Sequence, residues 1–202
     1  MRGVLALVAF ALAVPGGGTS WRTYRDATDA CTVAVPSGWQ VVPQSTADVK
    51  ARAAQANAHH DVSLAAEWGV IAAERKTEPR FGFQAFQWPA PEGPIDPDVT
   101  VKVDPVTPAT TAKNLPAIAK AYAQSLAKTK GVRVAAPVAV KLAAGPSVRL
   151  DGSVPLGKGG RTGFTVYLLL RPKRLYSLSF RYAPSHAEAD LFAQIADRFA
   201  FM

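Results

Sequence analysis

Apolar and polar positions alternate along most of this chain, and in three stretches the alternation gives way to a helical period. In "CTVAVPSGW" (31–39), Cys31, Val33 and Val35 fall on one face of a strand and Thr32 and Ala34 on the other. Pro36-Ser37-Gly38 predicts a turn, after which Trp39 and Val41 resume the apolar face, so the stretch predicts a β-hairpin. Residues 46–76 predict helix, opened by Ser45 with Asp48 in a variant capping box. "NAHHD" (57–61) breaks that helix, and Asp61 starts a second one. Strand character returns in "FGFQAFQW" (81–88); the proline-rich "PAPEGPIDPD" (89–98) predicts a loop, and "VTVKV" (99–103) a short strand.

The clearest helix is 114–128, with Asn114 as N-cap, Pro116 in the first turn, and an apolar stripe of Leu115, Ile118, Ala119, Tyr122 and Leu126. Four strands follow, over 132–142, 147–154, 161–170 and 175–182, with Pro137 marking an edge or a bulge in the first. In the third, Phe164, Val166, Leu168 and Leu170 oppose Tyr167 and Leu169, as in a central strand covered on both faces. A helix over 185–199, capped by Ser185 and Glu188, closes the chain. Strands joined by tight turns predict an antiparallel meander, and helices before and after it predict that both faces are covered. The class is α+β: one domain over 19–202, with a sheet sandwiched by helices.

Residues 1–18 have a different character. Arg2 precedes an apolar run from Val4 to Val14, which Pro15 and three glycines end. About 20 apolar residues are needed to span a bilayer, so the run has the form of a secretory signal peptide, cleaved after Ala13 or among Gly16–Gly18. No cysteine follows it directly, as lipid anchoring would require, so the expected product is secreted or envelope-associated, without a lipid anchor or a transmembrane segment. The lone Cys31 excludes an intrachain disulfide. The formal charge of +8 favours anionic surroundings such as phospholipid headgroups or wall polymers, although a solvated surface that keeps the protein soluble is the plainer reading. The basic residues read as dispersed, densest in "RPKR" (171–174) at a hairpin tip, and with no zinc-finger or RNP-type motif they speak against nucleic acid as a partner.

Three stretches together resemble the PsbP/Mog-like superfamily, and within it the exported actinobacterial LpqN-type branch. They are "YRDATDACTVAVPSGWQVV", "LPAIAKAYAQSLAK…VAVKLAAGPSVRLDG" and "TGFTVYLLLRPKRLYSLSFRY…FAQIADRF". The resemblance implies an α/β/α sandwich and a non-catalytic binding or accessory role. The chain departs from the branch in lacking an anchoring cysteine.

Candidate chemistry is sparse. His59-His60-Asp61 is the sole cluster of metal-capable residues, and adjacent helical histidines diverge by about 100°. A metal-dependent hydrolase built on these three is the enzymatic alternative; no metal or cofactor is expected. "SLAK" (125–128) has the S-x-x-K spacing of acyl-transfer enzymes without their partner motifs, and "LGKGGRT" (156–162) lacks phosphate-loop spacing and stands between strands. The aromatic strand with Phe81, Phe83, Phe86 and Trp88 reads first as core. Turned outward, Phe86 and Trp88, with Pro89 and Pro91, would form a binding surface. Two functions compete: an envelope interaction module binding a protein or an anionic component, and a carrier holding an apolar or lipid-like ligand between sheet and helices.

Overall fold

The computed structural model describes residues 10–11, 19–77, 82–89, 96–156, 160–183 and 189–202. The strands are β1 (Phe10–Ala11), β2 (Trp21–Asp26), β3 (Cys31–Pro36), β4 (Trp39–Val41), β5 (Phe83–Gln87), β6 (Asp98–Pro105), β7 (Arg133–Val134), β8 (Val138–Leu142), β9 (Gly145–Pro155), β10 (Arg161–Arg171), β11 (Arg174–Tyr182) and β12 (Ala200–Phe201). The helices are α1 (Thr46–Ala58), α2 (Val62–Thr77), α3 (Leu115–Ala127) and α4 (Ala189–Asp197). The strands form a large sheet ordered β4-β5-β6-β11-β10-β9-β7, with β8 also paired to β9, and a small sheet ordered β1-β2-β3-β12. Every ladder among the described residues is antiparallel. The architecture is α+β, as the alternation predicts.

Register assigns the two faces of the large sheet. Tyr167 lies opposite Leu178, Leu178 opposite Val101, and Val101 opposite Phe83. These residues belong to one core, closed by Cys31, Val33 and Val35 of the small sheet and by Phe192, Ile195 and Ala196 of α4. Val148, Leu150, Val166 and Leu168 point the other way and pack under Leu115 and Ala119 of α3. That same face, at the β4–β5 end, carries Phe86 under Ala56 of α1 and Ala65, Trp68, Ile71 and Ala72 of α2. In β10, residues 162–169 are all buried, because both sides of the strand are covered.

Glycines let two aromatic rings lie on the sheet. A Cβ on Gly152 would run into the Phe164 ring and the Arg133 carbonyl, and one on Gly163 would meet Cε2 of Tyr182 at 2.5 Å. Each ring belongs to the residue directly across the ladder, so the missing side chain is the space the ring occupies.

Several elements depart from expectation. The stretch 31–41 is not a hairpin: β3 pairs with β2, β4 pairs with β5, and Pro36-Ser37-Gly38 carries the chain from one sheet to the other. Local pattern gives turn and alternation but not the strand's partner. The strand expected over 132–142 is two pieces, β7 and β8, interrupted at 135–137; both lie at the edge on β9, where Pro137 is tolerated. Asn114 does not cap α3 as an N-cap. Its backbone is already helical, and its Oδ1 accepts from the Thr111 backbone N–H at 2.8 Å in a 3₁₀ turn over Ala112–Asn114. The Ser45 cap on α1 and the Asp61 cap on α2 are present, accepting from Asp48 N at 3.2 Å and Leu64 N at 3.0 Å. The Ser185–Glu188 cap and most of the 1–18 leader lie outside the described residues; Phe10 and Ala11 pair with Thr23 and Arg22 of β2. Among the described residues no helix is long and apolar enough to cross a membrane.

Candidate functional site

The aromatic segment sorts its side chains by parity. Phe83 and Ala85 of β5 enter the core between the two sheets, while Phe86 turns to the helical hairpin α1–α2. Phe86 is 1% exposed and meets Trp68 edge-on, with ring centroids 5.1 Å apart at 72°. It is therefore a core residue in this structure and not part of an open groove. Trp88 is half-buried against the same cluster, Pro89 is exposed, and the peptide bond between them is cis. Pro91 and Phe81 lie outside the described residues.

Carboxylates gather beside this segment. Phe86 lies opposite Asp98 in the ladder and Gln87 N donates to the Pro97 carbonyl at 2.9 Å, so the continued register brings Trp88 level with Asp96. The Asp98 side chain is only 5% exposed and accepts three bonds from Arg181. The Arg181 backbone N–H donates to Oδ1 at 3.2 Å, Nε donates to Oδ2 at 2.8 Å, and Nη2 also donates to Oδ2. The Arg181 side chain is 47% exposed, so its other edge faces water. Burial raises the Asp98 carboxyl and Arg181 opposes this; the same ion pair holds Arg181 protonated. Burial, and then Asp96, raise the Glu67 carboxyl on α2; burial, and then Asp98, raise Asp96. The Trp88–Pro89 step is thus an aromatic and imino-acid surface on a packed base, edged by carboxylates.

The other sequence candidates are dispersed. His59 closes α1, His60 takes a left-handed backbone (φ 59°), and Asp61 is occupied in capping α2. Among the described residues no group of three or more His, Cys, Asp or Glu side chains is arranged to hold a metal ion. Ser125 and Lys128 are both exposed at the end of α3. Cys31 is 1% exposed, and burial first, then Asp26, push its thiol up to about 12, which suppresses the nucleophilic thiolate. Two clefts are open and edged by charge rather than apolar and enclosed. One, about 320 Å³, lies along α1 at Asp48, Ala51, Arg52 and Gln55. The other, about 550 Å³, lies between α4 and β8 at Lys141, Gln194, Asp197 and Arg198.

Charge is partitioned along the sequence. The basic residues are not dispersed: residues 105–187 hold thirteen lysines and arginines against a single acid, Asp151, whereas residues 46–104 hold nine acids against six bases. Asp151 is itself taken up by Arg149 Nε at 3.0 Å and Thr165 Oγ1 at 2.8 Å. Charge summed over segments, not the search for dense runs, reveals this.

No family model and no curated protein matches the chain. Solved structures do. The chain is similar to the solution structure of cyanobacterial PsbP (CyanoP) from Synechocystis sp. PCC 6803, at 11% identity and a TM-score of 0.58, covering 95% of this chain and 98% of that one. It is also similar to the crystal structure of LpqN, described as involved in cell envelope biogenesis of Mycobacterium tuberculosis, at 12% identity and a TM-score of 0.51, covering 85% of this chain and 83% of that one. The chain has a PsbP-like fold.

Proposed function

We propose that this chain is an exported, non-enzymatic accessory module of the cell envelope, which binds a protein or envelope component through the Trp88–Pro89 surface. The observation that carries this reading is the arrangement at the end of β5. A half-exposed tryptophan and an exposed proline stand on the Phe86–Trp68 base, with Asp96 level with them and Glu67 on the adjoining helix. A preordered aromatic next to an imino acid loses little side-chain entropy on binding and supplies a large contact area, which suits recognition rather than bond cleavage. The LpqN structure's link to envelope biogenesis, and the leader-like residues 1–18, support the compartment. The buried Cys31 thiol and the use of Asp61 as a helix cap support a binding role over a catalytic one.

The test is chemical cross-linking of the purified chain to envelope extract, comparing the parent with Trp88→Ala and Pro89→Ala. A partner captured by the parent and lost in both variants, with circular dichroism unchanged, is the expected result. Equal capture by all three sinks the site, and turnover of an ester or peptide by the metal-supplemented protein sinks the non-enzymatic reading.

A further inference from the structure

Helix α3 supports a different contact. Lys120 of α3 is exposed, as are Lys113 in the 3₁₀ turn that leads into the helix and Lys128 at its C-terminal cap. They stand opposite the buried stripe of Leu115 and Ala119, with Tyr122 and Leu126 packed on the same core. The ridge runs along 13 helical residues, about 20 Å. Lys130 and Arg133 are exposed just past its end, where Arg161 Nη2 donates to the Gly131 carbonyl at 2.9 Å. Ala117, Ala121 and Gln124, all exposed, separate the lysines, so the ridge carries no acid and no aromatic ring.

Helix electrostatics explain only part of this. Cations near a helix C-terminus complement its dipole, which accounts for Lys128 and Lys130. Lys113 sits at the opposite end, where a positive charge is unfavourable, and Lys120 sits mid-helix, where the dipole has little effect. Asp151, the one acid of residues 105–187, is already bonded to Arg149 and Thr165 and does not compensate the ridge. The cations are exposed and spread along the helix, which fits a broad polyanionic plane rather than a single phosphate.

We propose that the α3 ridge, Lys113, Lys120 and Lys128 with Lys130 and Arg133, docks the protein on the surface of an anionic phospholipid bilayer. The contact is peripheral: the ridge exposes no large apolar side chain to insert, so binding is electrostatic and reversed by salt. It also goes beyond the accessory reading, whose surface is at Trp88–Pro89.

The experiment is co-sedimentation of the purified chain with vesicles of phosphatidylcholine alone and of phosphatidylcholine with phosphatidylglycerol, over a salt series. Binding only to the anionic vesicles, lost as salt rises, is expected. The K113Q/K120Q/K128Q variant lowers the partition coefficient on the order of 100-fold. R22Q/K50Q/R52Q, which removes the same charge elsewhere, lowers it far less. No binding to anionic vesicles, an equal loss in both variants, or retention on duplex nucleic acid or a soluble wall polyanion without vesicle binding overturns the proposal. Vesicle binding by a Trp88→Ala protein that no longer captures its cross-linked partner leaves this proposal standing; the reverse pattern removes it alone.

Discussion

Asp98 is closed off from water while the guanidinium that answers it is half exposed, so the two members of this pair are not equivalent. Removing Arg181 strands a buried carboxylate, whereas removing the charge from Asp98 leaves an arginine that water can still solvate. Arg181→Ala is therefore expected to cost about 3 kcal/mol or more, and Asp98→Asn about 1 to 2 kcal/mol, in urea unfolding at neutral pH; the opposite order would show that water reaches Asp98. Glu67 and Asp96 make the neighbourhood pH-sensitive. Both are raised chiefly by burial, so between the unfolded and the folded value the native state holds more protons than the unfolded one. Stability then falls as pH climbs through that window, and the loss is complete above the folded value. Glu67→Gln is expected to raise the melting temperature at neutral pH, with the gain vanishing toward acid, where the native carboxyl is already protonated. A gain confined to acid pH would reverse the sign. None of these carboxylates could be read from the sequence as neighbours, because a β6 aspartate, a β11 arginine and an α2 glutamate meet only once the ladder and the helix packing are set. Trp88, by contrast, was visible as an aromatic at the end of an apolar alternation, and its partial exposure follows from the proline that ends the strand.

At the scale of elements, helices and strands were legible wherever their signal is local. Ser45 and Asp61 announce the two helix starts, and the alternation in β9, β10 and β11 gives the inward and outward faces. What failed was partner choice: β3 looks like half of a hairpin because the turn after it is a good turn, yet its ladder partner β2, with Trp21, Arg22, Tyr24 and Arg25, has too weak an alternation to be seen as a strand. The α1–α2 hairpin is set on its own core around Phe86, apart from the other two. That separation predicts independent loosening. Phe86→Ala is expected to remove about 3 to 5 kcal/mol of packing. Hydrogen exchange should then quicken across α1 and α2 while amides of β9 to β11 stay protected at low denaturant. Uniform acceleration over the whole chain would mean that the three cores unfold as one.

For the whole molecule, the layered antiparallel arrangement was readable because turns link β9, β10 and β11 in order, whereas the docking of β6 on β11 joins segments far apart in sequence and leaves no local mark. The charge pattern was equally present in the sequence and equally invisible to a search for dense runs, since its cations are spaced widely along the chain. Their mutual repulsion has a consequence for stability. Two unit charges about 10 Å apart in water interact by about 0.4 kcal/mol. Thirteen cations against one acid in residues 105–187 make many such pairs, which salt screens, while the direct contact of Asp98 with Arg181 across β6 and β11 offsets one of them. The buried part of the Asp98–Arg181 pair is screened less than the repulsive pairs. Moderate sodium chloride is therefore expected to raise the melting temperature at neutral pH, and K113Q/K120Q/K128Q to raise it at low salt, with the two effects overlapping instead of adding. A melting temperature that falls as salt is added would mean that attraction between the acidic and basic segments outweighs repulsion within the basic one, and the cationic ridge would then be held by the fold's own electrostatics.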